Sequence, residues 1–150
     1  NFIIIMAATD QLTATVSILI NAPVEKVWQA FTDPDLIKGY LFGTTVKTDW
    51  KKGSPITYTG EWQGKSYEDK GTVVDIEPNK RLHTTYFSSM SGKEDKPENY
   101  VNVYYEVEPA VDGQSKVTII QDGIENEDQV KHMEQNWTSV LQGMKALLEK

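Results

Sequence analysis

The first regular feature of the chain is an alternation of apolar and polar residues. Val16, Ile18 and Ile20 fall on one face of the segment 13–20, and polar residues dominate the other face. This is the period of a half-buried strand. The sequence therefore predicts a first strand over 13–20.

Two short helices are predicted next. Residues 24–31 carry apolar side chains at spacings of three and four after Pro23, and proline suits a first helical turn. The segment 32–34, Thr-Asp-Pro, stops this helix and caps a second one that ends near Gly39.

The middle of the chain consists of β-rich stretches separated by turn residues. The predicted strands span residues 44–50, 55–62, 68–77, 81–87, 100–108 and 115–121. Segment 88–98 has almost no apolar residue and is predicted to be a mobile loop.

The last part of the chain has the strongest helical pattern. Asn126 with Gln129 three residues later resembles a capping box. An apolar stripe then runs through Val130, Met133, Trp137, Val140, Leu141, Met144, Leu147 and Leu148. It predicts a helix of roughly 24 residues, or about 36 Å. The element order predicts an α+β fold in which one curved, mostly antiparallel sheet wraps around this helix.

Length and composition narrow the class of protein. The 150 residues suit a single domain, and a net charge of −7 makes nucleic acid or an anionic membrane an unfavourable partner. The absence of cysteine excludes disulfides, thiolate nucleophiles and cysteine metal sites. No apolar run is long enough for a membrane span, and we expect a cytoplasmic protein.

We expect the domain to occupy residues 13–150. Residues 1–12 are predicted to form an N-terminal extension, in which 1–5 are upstream or vector-derived and translation naturally begins at Met6.

Three segments carry a resemblance to a known family. Residues 20–34, the stretch 71–82 and the end of the chain from Asn136 to Leu148 are similar to the START-like (SRPBCC, helix-grip) superfamily. Within it they most resemble the branch of activators of heat-shock protein ATPase. The resemblance implies the helix-grip fold and a cavity between sheet and last helix, which holds a hydrophobic small molecule in many members.

The alternation in the strands supplies candidate residues for such a cavity. The candidates are Tyr58, Trp62, Tyr86, Val103 and Tyr105 from the strands and Met133, Trp137, Leu141 and Met144 from the last helix. Apolar walls with a few hydroxyl groups suit a ligand site. The alternative is that the same residues fill an ordinary core.

The sequence contains no convincing catalytic or metal-binding group. His83 is expected on a polar surface and His132 at the edge of the helical stripe, and neither has a partner placed by spacing. The carboxylates Glu61, Glu68 and Asp69 are expected in a solvated turn. We predict no catalytic residue, no metal site and no cofactor.

Three functions remain open at this point. The favoured one is a binding or carrier protein for a hydrophobic small molecule or lipid. The first alternative, implied by the resemblance, is a chaperone-interaction module. The second is an enzyme like the cyclases and aromatases of the superfamily, which the lack of an acid–base pair disfavours.

Overall fold

The computed structural model describes residues 12–150, and over this range it contains seven strands and three α-helices. The strands are β1 (Leu12–Ile20), β2 (Thr45–Lys47), β3 (Pro55–Trp62), β4 (Lys65–Glu77), β5 (Arg81–Tyr86), β6 (Val101–Pro109) and β7 (Ser115–Ile124). The helices are α1 (Val24–Thr32), α2 (Pro34–Tyr40) and α3 (Glu127–Leu148), and two short 3₁₀ turns span Pro97–Asn99 and Val111–Gly113.

All seven strands form one antiparallel sheet in the order β1-β7-β6-β5-β4-β3-β2. The sheet is curved, and α3 lies on its concave face. This confirms the predicted α+β helix-grip architecture. The predicted N-terminal extension lies outside the described residues except for Leu12, which pairs with Ile124 at the start of β1.

Two of the strand boundaries that differ from the prediction do so for backbone reasons. The predicted strand 44–50 is only three residues long, and Trp50 has φ 56°, which no strand accommodates. In contrast, β4 starts three residues earlier than predicted. Gln63 and Gly64 both have positive φ, as a two-residue hairpin turn requires, so β3 and β4 stay paired up to the turn.

The last helix begins and packs as its sequence pattern predicts. The Asn126 side chain accepts a hydrogen bond of 2.9 Å from the Gln129 backbone N–H. The helix has 22 residues, which corresponds to about 33 Å. Val140, Leu141 and Met144 are fully buried, whereas the apolar residues nearer its start are only half-buried.

The core therefore lies at one end of the helix. The C-terminal half of α3 packs against β1 and α2, and Val27 and Phe31 of α1 complete the cluster. Inward residues of the sheet, such as Val73, Val117 and Ile119, form its floor. The N-terminal half of α3 extends past this core over the middle of the sheet.

We predict that Gly143→Ala stabilises the protein. A Cβ at Gly143 would lie 3.5 Å from the Tyr40 Cβ, an ordinary van der Waals distance. In a helix interior, alanine is more favourable than glycine by about 1 kcal/mol. Urea unfolding should therefore show a gain of up to that size, with little change for the exposed control Gln142→Ala. A loss of stability in Gly143→Ala would show that α2 and α3 need the glycine for their contact.

Candidate functional site

A cavity of about 530 Å³ lies between the concave face of the sheet and the N-terminal half of α3. Strands β3 to β7, the segment after α2 and the loop between β5 and β6 contribute to its wall. Among the predicted site residues, seven line it: Tyr58, Trp62, Tyr86, Val103, Tyr105, Met133 and Trp137. The structure thus brings these side chains together around one space.

Leu141 and Met144 do not line this cavity. Both are fully buried in the core formed by the C-terminal half of α3. They share the apolar stripe with Met133 and Trp137, but the helix passes from the cavity to the core between Trp137 and Val140. A stripe on a helix does not reveal which of its turns face a cavity.

Aromatic contacts hold the cavity wall in place. The rings of Tyr58 and Tyr86 meet edge to face with centroids 5.4 Å apart. Tyr105 contacts Trp137 at 6.0 Å in the same kind of arrangement. The Trp137 indole N–H donates a 2.8 Å hydrogen bond to Oε1 of Gln121 on β7, which fixes α3 to the sheet across the cavity.

Three exposed apolar side chains surround the cavity mouth, and we call them the apolar rim: Phe42, Trp62 and Met90. Trp62 is 58% exposed because it ends β3 immediately before the hairpin turn. Phe42 is 60% exposed and has φ 55°, a backbone conformation that L-residues rarely adopt.

Asp69 is buried beside the cavity, and the expectation of a solvated turn was wrong for this residue. It is 7% exposed and pairs with Tyr58 in the β3–β4 register. Its carboxylate accepts hydrogen bonds from the Tyr86 hydroxyl at 2.5 Å and from the N–H and hydroxyl of Ser89 at 2.8 and 2.9 Å. The error arose because the strand was predicted to start at 68, which left Asp69 next to the turn.

The loop between β5 and β6 closes one side of the cavity. Ser89 of this loop contacts Asp69. Asp95 of the same loop forms an ion pair with Lys70. The Asp95 carboxylate also accepts a 2.6 Å hydrogen bond from Tyr100. These hydrogen bonds lower the pKa of Asp95 below its usual value. The predicted loop is therefore attached to β4 at several points.

Several other wall residues were not predicted from the sequence. The hydroxyls of Thr44 and Tyr67 form a 2.7 Å hydrogen bond to each other in the wall, and Gln121 faces inward from β7. Alternation along β4 could have indicated Tyr67, which shares a face with Asp69. Nothing in the sequence distinguishes an inward Gln121 from a surface glutamine.

Burial affects the ionisation of the wall tyrosines. It raises the pKa of Tyr58 from 10.0 to about 12, and it raises the pKa values of Tyr86 and Tyr105 well above their usual range. Because the neutral phenol is favoured in each case, these groups stay hydrogen-bond donors at neutral pH.

Neither histidine lines the cavity. His83 lies on the opposite face of the sheet, stacked on Tyr104 with centroids 4.1 Å apart and hydrogen-bonded to Asn102 at 2.8 Å. His132 is exposed on α3. Within residues 12–150 no cluster of three potential metal-ligating side chains occurs, and no helix there is long and apolar enough to cross a membrane.

The sheet, the overlying helix and the cavity between them define a START-like protein. The chain belongs to the family described as Activator of Hsp90 ATPase homolog 1-like protein, whose family model matches residues 21–149. No curated protein matches the chain.

Solved structures have the same fold. The chain is 47% identical to ChR145 from Cytophaga hutchinsonii, with a TM-score of 0.81 over 92% of this chain and 94% of that one. MLL2253 from Mesorhizobium loti is 22% identical, with a TM-score of 0.74 over 92% and 97% of the two chains. Aha1 from Colwellia psychrerythraea, solved as a dimer, is 23% identical, with a TM-score of 0.71 over 92% and 96%.

We predict a strong energetic coupling between Asp69 and Tyr86. A double-mutant cycle of Asp69→Asn and Tyr86→Phe should give a coupling energy of about 1.5–3 kcal/mol in urea unfolding, the range for hydrogen bonds to charged groups. The matched control is Asp95→Asn with Tyr100→Phe, the same pair of groups in solvent, whose coupling should be smaller. Equal coupling energies in both cycles would show that burial does not strengthen the Asp69–Tyr86 hydrogen bond.

We also predict that Tyr58 makes stability depend on pH above 10. The unfolded chain releases this proton near pH 10.0, whereas the folded protein keeps it to about 12. Its contribution is therefore complete below pH 10 and is lost as pH rises towards 12, by about 1.4 kcal/mol per pH unit. Stability of Tyr58→Phe, measured by urea unfolding, should decline less steeply than that of the parent protein. Parallel declines would contradict the raised pKa.

Proposed function

We propose that the protein binds or carries a small hydrophobic molecule in the cavity between the sheet and α3. The observation that carries the proposal is the cavity itself. Its volume of about 530 Å³ lies within the roughly 300–1,000 Å³ range of small-molecule sites.

The chemistry of the wall supports an apolar ligand. Apolar side chains and aromatic rings supply most of the wall surface, beside polar residues that include Glu61, Asp69 and Lys93. The apolar rim extends this apolar surface to the cavity mouth, where an apolar molecule can enter from water. Membership of the family is consistent with a binding role but leaves the ligand open.

The test is a two-dimensional amide NMR titration of the parent protein with hydrophobic acids, sterols, flavonoids and lipids. We expect shifts on the inner face of β3, β5 and β6 and from Met133 to Trp137. Val103→Phe, which adds volume to the wall, should weaken binding of the best ligand at least about tenfold, or by about 1.4 kcal/mol.

Two further variants make this test specific. Glu106→Phe adds the same side chain on the opposite face of β6 and should leave affinity unchanged. Met133→Trp fills the cavity from the helix and replaces Val103→Phe if that variant unfolds. Binding that survives both cavity-filling variants would contradict the cavity as the site.

A chaperone-interaction module is the second candidate, favoured by the description of the matching family. Such a module would bind through its surface, so filling the cavity should not alter binding to an Hsp90-type chaperone. No shift with any ligand, together with chaperone binding by the parent protein, would favour this function. The cyclase-like enzyme stays a prediction.

A further inference from the structure

The cavity wall contains two tyrosine hydroxyls that have no protein acceptor. Two other inward-facing tyrosines have acceptors, because Tyr40 donates to the Ala30 carbonyl at 2.8 Å and Tyr86 donates to Asp69. Tyr58 and Tyr105 line the cavity, and neither hydroxyl donates a hydrogen bond to an acceptor within residues 12–150. Burial keeps both phenols protonated, so each presents an O–H group without an acceptor.

Thr84 adds an independent sign that polar groups here are left without partners. Its hydroxyl is the one enclosed side-chain polar atom in the described part of the chain without a hydrogen bond, and the residue is 1% exposed. It lies beside Tyr58. Buried polar groups are normally paired, so unpaired ones need an explanation.

The surrounding charges indicate which kind of acceptor fits. Asp69 lies near Tyr58 and already accepts three hydrogen bonds. A carboxylate on the ligand would meet this negative charge in an environment with little water. Lys93, the cationic side chain of the wall, is at the mouth and is 3.5 Å from Glu125. An uncharged oxygen is therefore favoured over an anion.

We propose that Tyr58 and Tyr105 bind the carbonyl oxygen of an uncharged, ring-containing ligand. A carbonyl oxygen has two lone pairs and accepts from both phenols, and the aromatic wall contacts the ring system. Thr84 can then donate to the Tyr58 oxygen. This inference rests on the proposed function, since it names the class of ligand that the same cavity takes.

Three probes of one shape test it: 2-acetylnaphthalene with a ketone, 2-ethylnaphthalene without an acceptor, and 2-naphthoate with a negative charge. Affinities come from amide NMR titration of the whole chain. The parent protein should bind the ketone about tenfold more tightly than the hydrocarbon, as two net hydrogen bonds allow, and should bind the anion most weakly.

The variant Tyr58→Phe/Tyr105→Phe removes both hydroxyls and keeps both rings. It should bind the ketone and the hydrocarbon with affinities within about twofold of each other, with hydrocarbon affinity unchanged. Tyr104→Phe, on the opposite face of the sheet, is the matched control and should keep the tenfold preference. The single variants Tyr58→Phe and Tyr105→Phe give the same comparison if the double variant unfolds.

The outcomes separate this inference from the proposed function. Equal affinity of the parent protein for ketone and hydrocarbon overturns the carbonyl site and leaves the hydrophobic cavity standing. A ketone preference that survives in the double variant also overturns it, because another donor must then bind the oxygen. Binding of none of the probes overturns the proposed function for ligands of this size, and the carbonyl site with it.

Discussion

The structure depends on a mismatch between the width of the sheet and the width of one helix. Seven antiparallel strands span about 29 Å at the usual strand spacing, whereas a helix with its side chains is about 10–12 Å across. One helix cannot cover such a concave face. The C-terminal half of α3, together with α1 and α2, covers the part where the core lies. The space over β3 to β7, under the N-terminal half of α3, is left unfilled, and this is the cavity.

The side of the cavity that α3 does not cover is bounded by side chains and by the loop between β5 and β6. Asp69 is central here because it connects strand β4 to Tyr86 and to the loop at Ser89 through three hydrogen bonds. A buried carboxylate without these donors would be costly. The carboxylate therefore ties the loop to the sheet and, through Tyr86, helps to fix the ring of Tyr58 in the wall. These contacts hold the wall in place beside the unfilled space under α3.

The fold was predictable from the sequence because its signals are local and mutually consistent. Alternation in β1, the stripe of α3 and the cap at Asn126 each specify one element, and together they leave few arrangements. The site was predictable only in outline. Whether Leu141 faces a cavity or a core depends on where α3 crosses the sheet. The apolar period of the helix does not give that position. The burial of Asp69 depends on the hairpin turn at Gln63 and Gly64, which shifts the start of β4 by three residues.

The division of α3 into two halves links stability to function. Val140, Leu141 and Met144 contribute apolar burial that the fold needs, so substitutions there act on stability. Met133 and Trp137 face the cavity and are half-buried, so their substitution is less costly to the core and acts on whatever the cavity holds. Membership of the family fixes the fold, and under the proposed function the hydroxyls and charges inside the cavity determine the chemistry of the ligand.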